Sequence, residues 1–355
     1  METLCRAVRK RLSASIANGL KPVQKLKFKC VFEGVGSMSK LTKSSQLSNR
    51  WRASLCVVLK NHNGTKGEEG CKTVASFATQ DKRADVLFKS FTELAEMGFK
   101  LDSVEQFKGR HMQALVGAWE GRGLSPSTIQ NNISIMRTFT NWLGKDGMVL
   151  SSASYVAVKG AASRSSVATQ DKSWQSNGVA VADKIAQVAL IDARVALQLE
   201  LQHVFGLRAR ESWQLRPHLA DQGVYLAVNL GTKGGRDRVV PIDTPEKRAL
   251  IDRAKTFTKR KGDSISDEKL SLAQVKNHFY AVCRLAGITR VNGITAHGLR
   301  HGYANERYKQ QTGHESPVRD GERVCREEDA LARFVIAEEL GHSREDVTTY
   351  YLGRS

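Results

Sequence analysis

The sequence predicts a mostly α-helical protein with a small β-hairpin, an α+β fold organised in two globular parts. Two stretches, residues 82–145 and the chain from residue 179 onward, repeat apolar residues at the three-to-four spacing of amphipathic helices. One stretch, residues 223–242, alternates apolar and polar residues on both sides of a glycine-containing turn, which is typical of a hairpin. With 355 residues, 41% of them hydrophobic, the chain can form two or three domains with buried cores.

The charge balance predicts an acidic partner. The chain has 55 Lys and Arg residues against 36 Asp and Glu, a formal net charge of +19 at pH 7. Nucleic acid is favoured over a membrane surface, because no apolar run reaches the roughly 18 residues of a membrane span. The start of the sequence has no signal-peptide pattern, and the six cysteines form no C-x-x-C pair. We therefore expect a cytoplasmic protein with reduced thiols.

Residues 1–80 are predicted to form a basic N-terminal arm. Lysine and arginine dominate its first third, and such an arm would meet DNA phosphates without choosing a sequence. Within it, residues 50–60 could form a strand, followed by a glycine-rich turn and a second strand near 71–78. The residues expected to contact phosphates are Arg6, Arg9, Lys10 and Arg11.

Residues 81–145 are predicted to form a helical domain. Helices are expected over 84–97, 103–119 and from Pro126 to about Leu143, the last with a proline at its start and a broad apolar face. Arg137 lies on the opposite face and is a candidate DNA contact. The Gly-, Ser- and Ala-rich residues 146–178 are predicted to be a linker, and 179–355 a second domain opening with a helix at about 179–203.

Two segments at the start of the second domain carry basic residues at exposed junctions. Arg208 follows the predicted end of a helix in the pattern G-L-R-x-x-E, three residues before Glu211. Lys233 lies at the tip of the predicted hairpin, in T-K-G-x-x-x-R-x-V-P. Each residue taken by itself is most often an ordinary surface residue, so neither pattern alone predicts a site.

Two later segments carry histidines, an arginine and tyrosines. His297 and Arg300 lie three residues apart on one helical face, and Tyr351 follows His342 by nine residues, with Tyr350 beside it. His297 and His301 are four apart, but the segment HGLRH lacks the glutamate of a zinc-protease motif, so no metal site is expected.

In this order and spacing the four segments resemble the tyrosine recombinase (phage integrase) family. The resemblance covers about 179–355, the catalytic domain of that family, and residues 81–145 look like its helical core-binding (SAM-like) domain. It implies that Tyr351 is the nucleophile, with Tyr350 as rival, and that Glu211 supports the pocket. The further catalytic residues that it implies are Arg208, Lys233, His297, Arg300 and His342.

The resemblance implies a site-specific recombinase that cuts and rejoins double-stranded DNA through a 3′-phosphotyrosine. No cofactor is expected, since the phosphotyrosine bond conserves the energy of the broken phosphodiester. The expected assembly is a homotetramer on DNA, with DNA-bending or directionality helper proteins as further partners. The expected setting is a mobile element in the bacterial cytoplasm, with the protein at the nucleoid when bound to DNA.

Two departures and three alternatives stay open from the sequence. Arg300 and His342 are 42 residues apart, about twice the usual family gap, because of a charged segment at 310–334 that is expected to be a surface insertion. Only four residues follow Tyr351, so the sequence does not indicate what would join the subunits. The alternatives are a type IB topoisomerase-like enzyme, a non-catalytic DNA-binding relative, and a basic RNA-binding protein, which lacks a supporting motif. Neither the target site nor the choice among integration, excision, inversion and resolution can be predicted.

Overall fold

A computed structural model describes residues 50–66, 73–155, 167–342 and 344–354. In these ranges the chain is mostly helical, with two small antiparallel sheets of two strands each, which confirms the predicted α+β class. No helix in these ranges is long and apolar enough to span a membrane. The basic arm residues Arg6, Arg9, Lys10 and Arg11 lie outside the described residues.

The first part of the described chain is a helical unit with an aromatic core. Phe91 lies at its centre, its ring 5.4 Å from that of Trp51, 5.8 Å from Phe107 and 5.6 Å from Phe139. These four large side chains are almost completely buried, so their burial helps to hold the helices together. The helices are α1 (Arg50–His62), α2 (Phe77–Glu96), α3 (Gly109–Gly121) and α4 (Pro126–Trp142).

The strand predicted over residues 50–60 is wrong, because this segment forms helix α1. Trp51, Leu55 and Val58 are spaced for one helical face, and their burial against α2 outweighs the strand preference of the valine pair. The predicted β element is reduced to the short pair Thr65–Lys66 and Thr73–Val74. Since α1 shares the core of α2–α4, we propose that the helical domain begins near residue 50 rather than at 81.

Capping interactions determine where the helices of this unit begin. Helix α2 begins earlier than predicted, because the Ser76 hydroxyl accepts the backbone N–H of Thr79. The helix predicted over 103–119 is divided into a short 3₁₀ turn, Val104–Gln106, and α3. Helix α4 matches its prediction, with Ser125 as the N-cap and Pro126 in the first turn.

The second unit opens with two helices where one was predicted. Helices α5 (Val181–Ile191) and α6 (Ala193–Phe205) are separated at Asp192, whose backbone is extended. The Asp192 carboxylate accepts the backbone N–H groups of Arg194 and Val195, so it starts a new helix instead of continuing the old one. The later helices are α7 (Ala209–Gln214), α8 (Pro217–Ala220), α9 (Pro245–Thr256), α10 (Leu272–Leu285), α11 (Ala296–Thr312), α12 (Arg326–Leu340) and α13 (Thr349–Leu352).

The hairpin predicted around residue 233 is present. Strands β3 (Tyr225–Val228) and β4 (Arg238–Pro241) pair antiparallel, with Tyr225 opposite Pro241 and Val228 opposite Arg238. Leu226, Val228 and Val240 are buried on the inner face, so the alternation seen in the sequence corresponds to one face against the core. Lys233 is exposed in the connection between the strands, as predicted.

Helix α11 runs through the middle of this unit and packs against α6 and α12. Tyr303 and Tyr308 of α11 share one apolar core with Phe205, Ile336 and Tyr351. The predicted surface insertion 310–334 is only partly exposed. It contains the end of α11, a 3₁₀ turn at Pro317–Arg319 and the first half of α12, and its residues Ser316, Ala332 and Arg333 are buried.

Candidate active site

Arg300 is the buried centre of the candidate site. Its side chain is completely buried, one turn into α11, where its Nη1 donates to the Gly206 carbonyl at 2.5 Å and its Nη2 to the Leu340 carbonyl. Its Nε donates to the Tyr351 hydroxyl at 3.2 Å. Burial is the main reason that the pKa of Arg300 is lowered to about 10, which leaves the guanidinium charged at neutral pH. The Arg300 side chain thus connects the C-terminal ends of α6 and α12 to Tyr351 in α13.

Arg208 reaches the same site from the start of α7. Gly206, just before it, has a φ of +59°, and a Cβ there would lie 2.5 Å from the Tyr303 ring, so the turn requires glycine. Glu211 accepts the Arg208 backbone N–H at 2.6 Å and its Nη1 at 2.7 Å. This double contact closes the first turn of α7 and fixes the Arg208 side chain, which is one-fifth exposed, towards the cleft.

Glu211 is buried among three arginines. Arg238 of β4 donates to both its carboxylate oxygens, at 2.8 and 2.7 Å, and the nearest nitrogen of Arg300 lies 4.0 Å away. Burial alone would raise the pKa of Glu211, but the hydrogen bonds and charges of these arginines lower it to about 2. The carboxylate is therefore ionised at neutral pH and offsets part of the positive charge beneath the site.

Arg238 has a role that the sequence did not predict, although its motif was noted. Besides Glu211, it donates through Nε to the Glu339 carbonyl at 2.7 Å. It therefore connects the hairpin to α7 and to the end of α12, next to the Leu340 carbonyl that Arg300 binds. The only sequence signal is its position on the strand after Lys233, where alternation places it on the buried face.

Tyr351 and Tyr350 both line the cleft, but only Tyr351 has hydrogen bonds to the site residues. Tyr351 is 5% exposed, and its hydroxyl lies 3.2 Å from the Nε of Arg300 and 3.5 Å from the Nε2 of His342. Tyr350 is 43% exposed. The nine-residue spacing from His342 therefore selects the tyrosine that contacts the arginine and the histidine.

The two site histidines have lowered proton affinities. Burial, followed by the charges of Arg300 and Arg208, lowers the pKa of His342 to about 3. The same causes lower the pKa of His297, whose ring centroid lies 6.0 Å from that of Tyr351. Both imidazoles are consequently neutral at physiological pH, the form in which a histidine can accept a proton.

These residues line a cleft of about 1530 Å³. Lys233 approaches it from the exposed hairpin tip, and His297, His342 and Tyr351 form part of its wall together with Arg208. All six residues predicted to be catalytic, together with Glu211, are thus at this cleft or directly beneath it. Within the described ranges, no group of three or more His, Cys, Asp or Glu side chains is placed to hold a metal ion.

Arg137, predicted as a DNA contact, is not among the residues that line this cleft. Its Nε donates to the Val149 carbonyl at 3.1 Å and its Nη2 to the Leu150 carbonyl at 2.5 Å. These bonds fasten the chain after α4 to that helix, a structural role that the sequence did not indicate. A role for Arg137 in binding DNA stays a prediction.

His301 gives the site a pH-dependent stability. Its burial, then the charges of His297 and Lys172, lower its pKa to about 3, and its Nδ1 has no hydrogen-bond partner among the described residues. Below its ordinary pKa of about 6.5, the unfolded chain binds a proton here that the folded chain does not, so stability falls as the pH falls from about 6.5 towards 3.

We expect this residue alone to reduce the free energy of unfolding by about 2–3 kcal/mol between pH 7 and pH 4.5. Urea unfolding of the wild-type protein and of His301→Gln at both pH values measures it. The substituted protein should lose less stability over this interval, and equal losses would show that His301 is not kept neutral by the fold.

Two known protein families match parts of this chain. The protein family described as "Integrase" matches residues 163–306, and the family described as "Phage integrase, N-terminal" matches residues 70–149. Curated sequences named tyrosine recombinase XerC, from Xanthomonas campestris pv. campestris, are 31% identical over 155 residues. That alignment includes 42% of this chain and 45% of the relative, so the chain spans less than half the length of the curated relatives that it matches.

Solved structures share the fold. A fragment of lambda integrase, solved as a dimer bound to a COC′ core site, superposes with a TM-score of 0.52 and 17% identity, over 84% of this chain and 94% of that one. The XerH site-specific recombinase bound to its difH substrate gives a TM-score of 0.53 and 14% identity, over 86% and 92%. Identities this low establish the architecture alone.

Proposed function

Because the chain belongs to the tyrosine recombinase (phage integrase) family, we propose that it cuts and rejoins DNA at specific sites through a covalent bond to Tyr351. The observation that carries the proposal is the position of the Tyr351 hydroxyl, 3.2 Å from a buried arginine and 3.5 Å from a neutral histidine. A phenol held between a fixed cation and a proton acceptor is suited to attack a phosphodiester.

In the first step, the Tyr351 oxygen attacks the scissile phosphorus. The phenol has an ordinary pKa of about 10, so it must lose its proton as the new bond forms, and His342 Nε2 is placed to accept that proton. The P–O5′ bond breaks as the P–O(Tyr351) bond forms, which leaves a 3′-phosphotyrosine. Lys233, on the exposed hairpin tip, supplies the proton that the departing 5′ oxygen needs.

Negative charge develops on the non-bridging phosphate oxygens during this attack. Arg208, which lines the cleft, meets that charge with a planar guanidinium group that can bind two oxygens at once. Arg300 is completely buried, with its three nitrogens bonded to protein groups, and adds its positive charge from beneath the cleft. Their contacts to Glu211, Gly206 and Leu340 fix both groups before DNA arrives, so little reorganisation is needed in the transition state.

Rejoining reverses these events on another strand. The 5′ hydroxyl of an incoming strand attacks the phosphotyrosine, its proton passes to the enzyme, and the Tyr351 phenol is restored. One phosphodiester replaces another, so the reaction needs no nucleotide cofactor.

We propose double-stranded DNA as the substrate and a homotetramer on DNA as the active assembly. We further propose that it acts in the bacterial cytoplasm, with helper proteins that bend DNA or set direction.

A plasmid assay separates this proposal from a topoisomerase-like activity. Supercoiled plasmids carrying two copies of DNA from the gene's own neighbourhood, and matched plasmids without them, are incubated with the full-length protein. We expect recombinant products only from the first plasmid, because strand exchange needs paired sites. Relaxation of both plasmids at equal rates, without recombinants, would contradict site-specific recombination and favour the topoisomerase-like alternative.

A further inference from the structure

Lys172 is an exposed cation at the candidate site that neither the sequence motifs nor the proposed mechanism uses. It lies before helix α5, in the chain segment that leads into the second unit, and it lines the same cleft as His297 and Tyr351. Its charge is close enough to His297 and His301 to contribute to lowering the pKa of both imidazoles. The cleft therefore has a cation on the side of the α11 N-terminus, in addition to Lys233 and the arginines that line it.

The backbone on both sides of Lys172 is firmly held. On one side, the Asp171 carboxylate accepts Nε of Arg319 at 2.8 Å and the Ser173 hydroxyl at 2.7 Å. On the other side, the completely buried Trp174 donates through Nε1 to the Thr295 carbonyl at 2.7 Å. These contacts hold the backbone on both sides of Lys172, so its side chain extends from a fixed backbone position.

The Lys172 backbone also packs closely against α11. A Cβ at Gly298 would lie 2.6 Å from the Lys172 carbonyl oxygen, so this helix position admits only glycine while the segment passes there. Gly298 lies directly between His297 and Leu299, one turn before His301. The Lys172 backbone is therefore fastened against the turn of α11 that carries the site histidine.

Among the described residues, no carboxylate lies within ion-pair distance of the Lys172 ammonium. The neighbouring Asp171 is instead occupied by Arg319 and Ser173. The cleft is strongly basic, so an exposed lysine on a fixed backbone there is electrostatically unfavourable until an anion enters. The other cations that line it are Arg208, Lys233, Arg236, Arg290 and Arg344. A DNA backbone, with a phosphate at every nucleotide, supplies such anions next to the one that is cut.

We propose that Lys172 binds a backbone phosphate beside the scissile one. The inference rests on the proposed function, since it assumes that DNA enters this cleft. It assigns to the segment before α5 a direct part in holding the cleaved strand. Because a lysine contacts phosphate as a point charge, it adds affinity and positions the strand without reading its sequence.

The test compares the salt dependence of DNA binding for full-length wild-type protein, Lys172→Met and Lys261→Met. Lys261 is exposed in the same unit but does not line the cleft, so it is the matched control for loss of one charge. The probe is a short labelled duplex from the gene's neighbourhood, titrated between about 50 and 200 mM salt. We expect Lys172→Met to reduce the slope of log K against log salt by about 1, while Lys172→Arg and Lys261→Met keep the wild-type slope.

An unchanged slope in Lys172→Met, or an equal reduction in Lys261→Met, would overturn the proposal. A wild-type slope combined with slower covalent attachment to DNA would also overturn it, because Lys172 would then act on the reacting atoms and not on a flanking phosphate. Thermal unfolding of each variant checks that the fold is retained. Covalent attachment by the wild-type protein is measured in parallel, so a failure of the proposed function is seen separately from a failure of the Lys172 contact.

Discussion

Tyr351→Phe is expected to abolish covalent attachment of the protein to DNA, while Tyr350→Phe leaves it near the wild-type level. Phenylalanine keeps the ring in the core with Phe205 and Ile336 but has no oxygen to bond to phosphorus, so no slower version of the reaction is available. Tyr350→Phe removes only the hydroxyl of a side chain that is 43% exposed, whereas the contact with Arg300 belongs to Tyr351.

The measurement uses DNA nicked near the cleavage site, so that the covalent intermediate cannot be religated and accumulates. Denaturing gels then separate the protein–DNA adduct from free DNA. Because the two substitutions are adjacent and chemically identical, each is the control for the other. An adduct that persists in Tyr351→Phe and disappears in Tyr350→Phe would keep the chemistry but refute the assignment of the nucleophile.

Arg208→Ala is expected to slow cleavage by roughly 100- to 1000-fold with little change in DNA affinity. This is the usual cost of removing one fixed donor from a site where charge develops in the transition state. Arg208 suits the test better than Arg300, because it is partly exposed and because Glu211, which loses one hydrogen bond, keeps both of its hydrogen bonds from Arg238. Lysine at this position should restore little activity, since it cannot bind two phosphate oxygens through a planar fork.

The matched control for Arg208→Ala is Arg210→Ala. Arg210 is exposed on the same short helix, two residues after Arg208, and its replacement by alanine removes the same charge. Single-turnover cleavage and equilibrium binding are measured for both variants. If Arg208→Ala weakened binding as strongly as it slowed cleavage, the residue would hold DNA in its ground state and not the transition state.

The site was more predictable from the sequence than the surroundings that make it work. His297 and Arg300 are three residues apart on one helix, a spacing that fixes their common face in any fold. The position of Lys233 at a hairpin tip follows from the alternation around a glycine turn, but only the resemblance of the four segments to the family predicted that it belongs to the site. By contrast, strand alternation indicates only that Arg238 is on the buried face. Its partners Glu211 and Glu339 are 27 and 101 residues away in the sequence, and no local pattern identifies them.

The fold errors have a common physical cause. Residues 50–60 contain β-branched and aromatic residues with a strand preference, but tertiary packing of Trp51 and Leu55 against α2 decides for a helix. Between α5 and α6, helical periodicity continues across Asp192, and only the side-chain capping bonds of that residue separate the two helices. In both places, the interaction that determines the local structure cannot be recognised from the spacing of apolar residues.

The central claim is that Tyr351 becomes the covalent link to a 3′ phosphate of DNA. Its most direct test is to trap the adduct, digest the DNA to a short remnant and the protein with trypsin, and fragment the nucleotide-linked peptide by mass spectrometry. Cleavage after Arg344 and Arg354 gives the peptide EDVTTYYLGR, in which fragment ions distinguish the two tyrosines. The account predicts a remnant on Tyr351 joined through a 3′ phosphate. A remnant on another residue, or one joined through a 5′ phosphate, would contradict it.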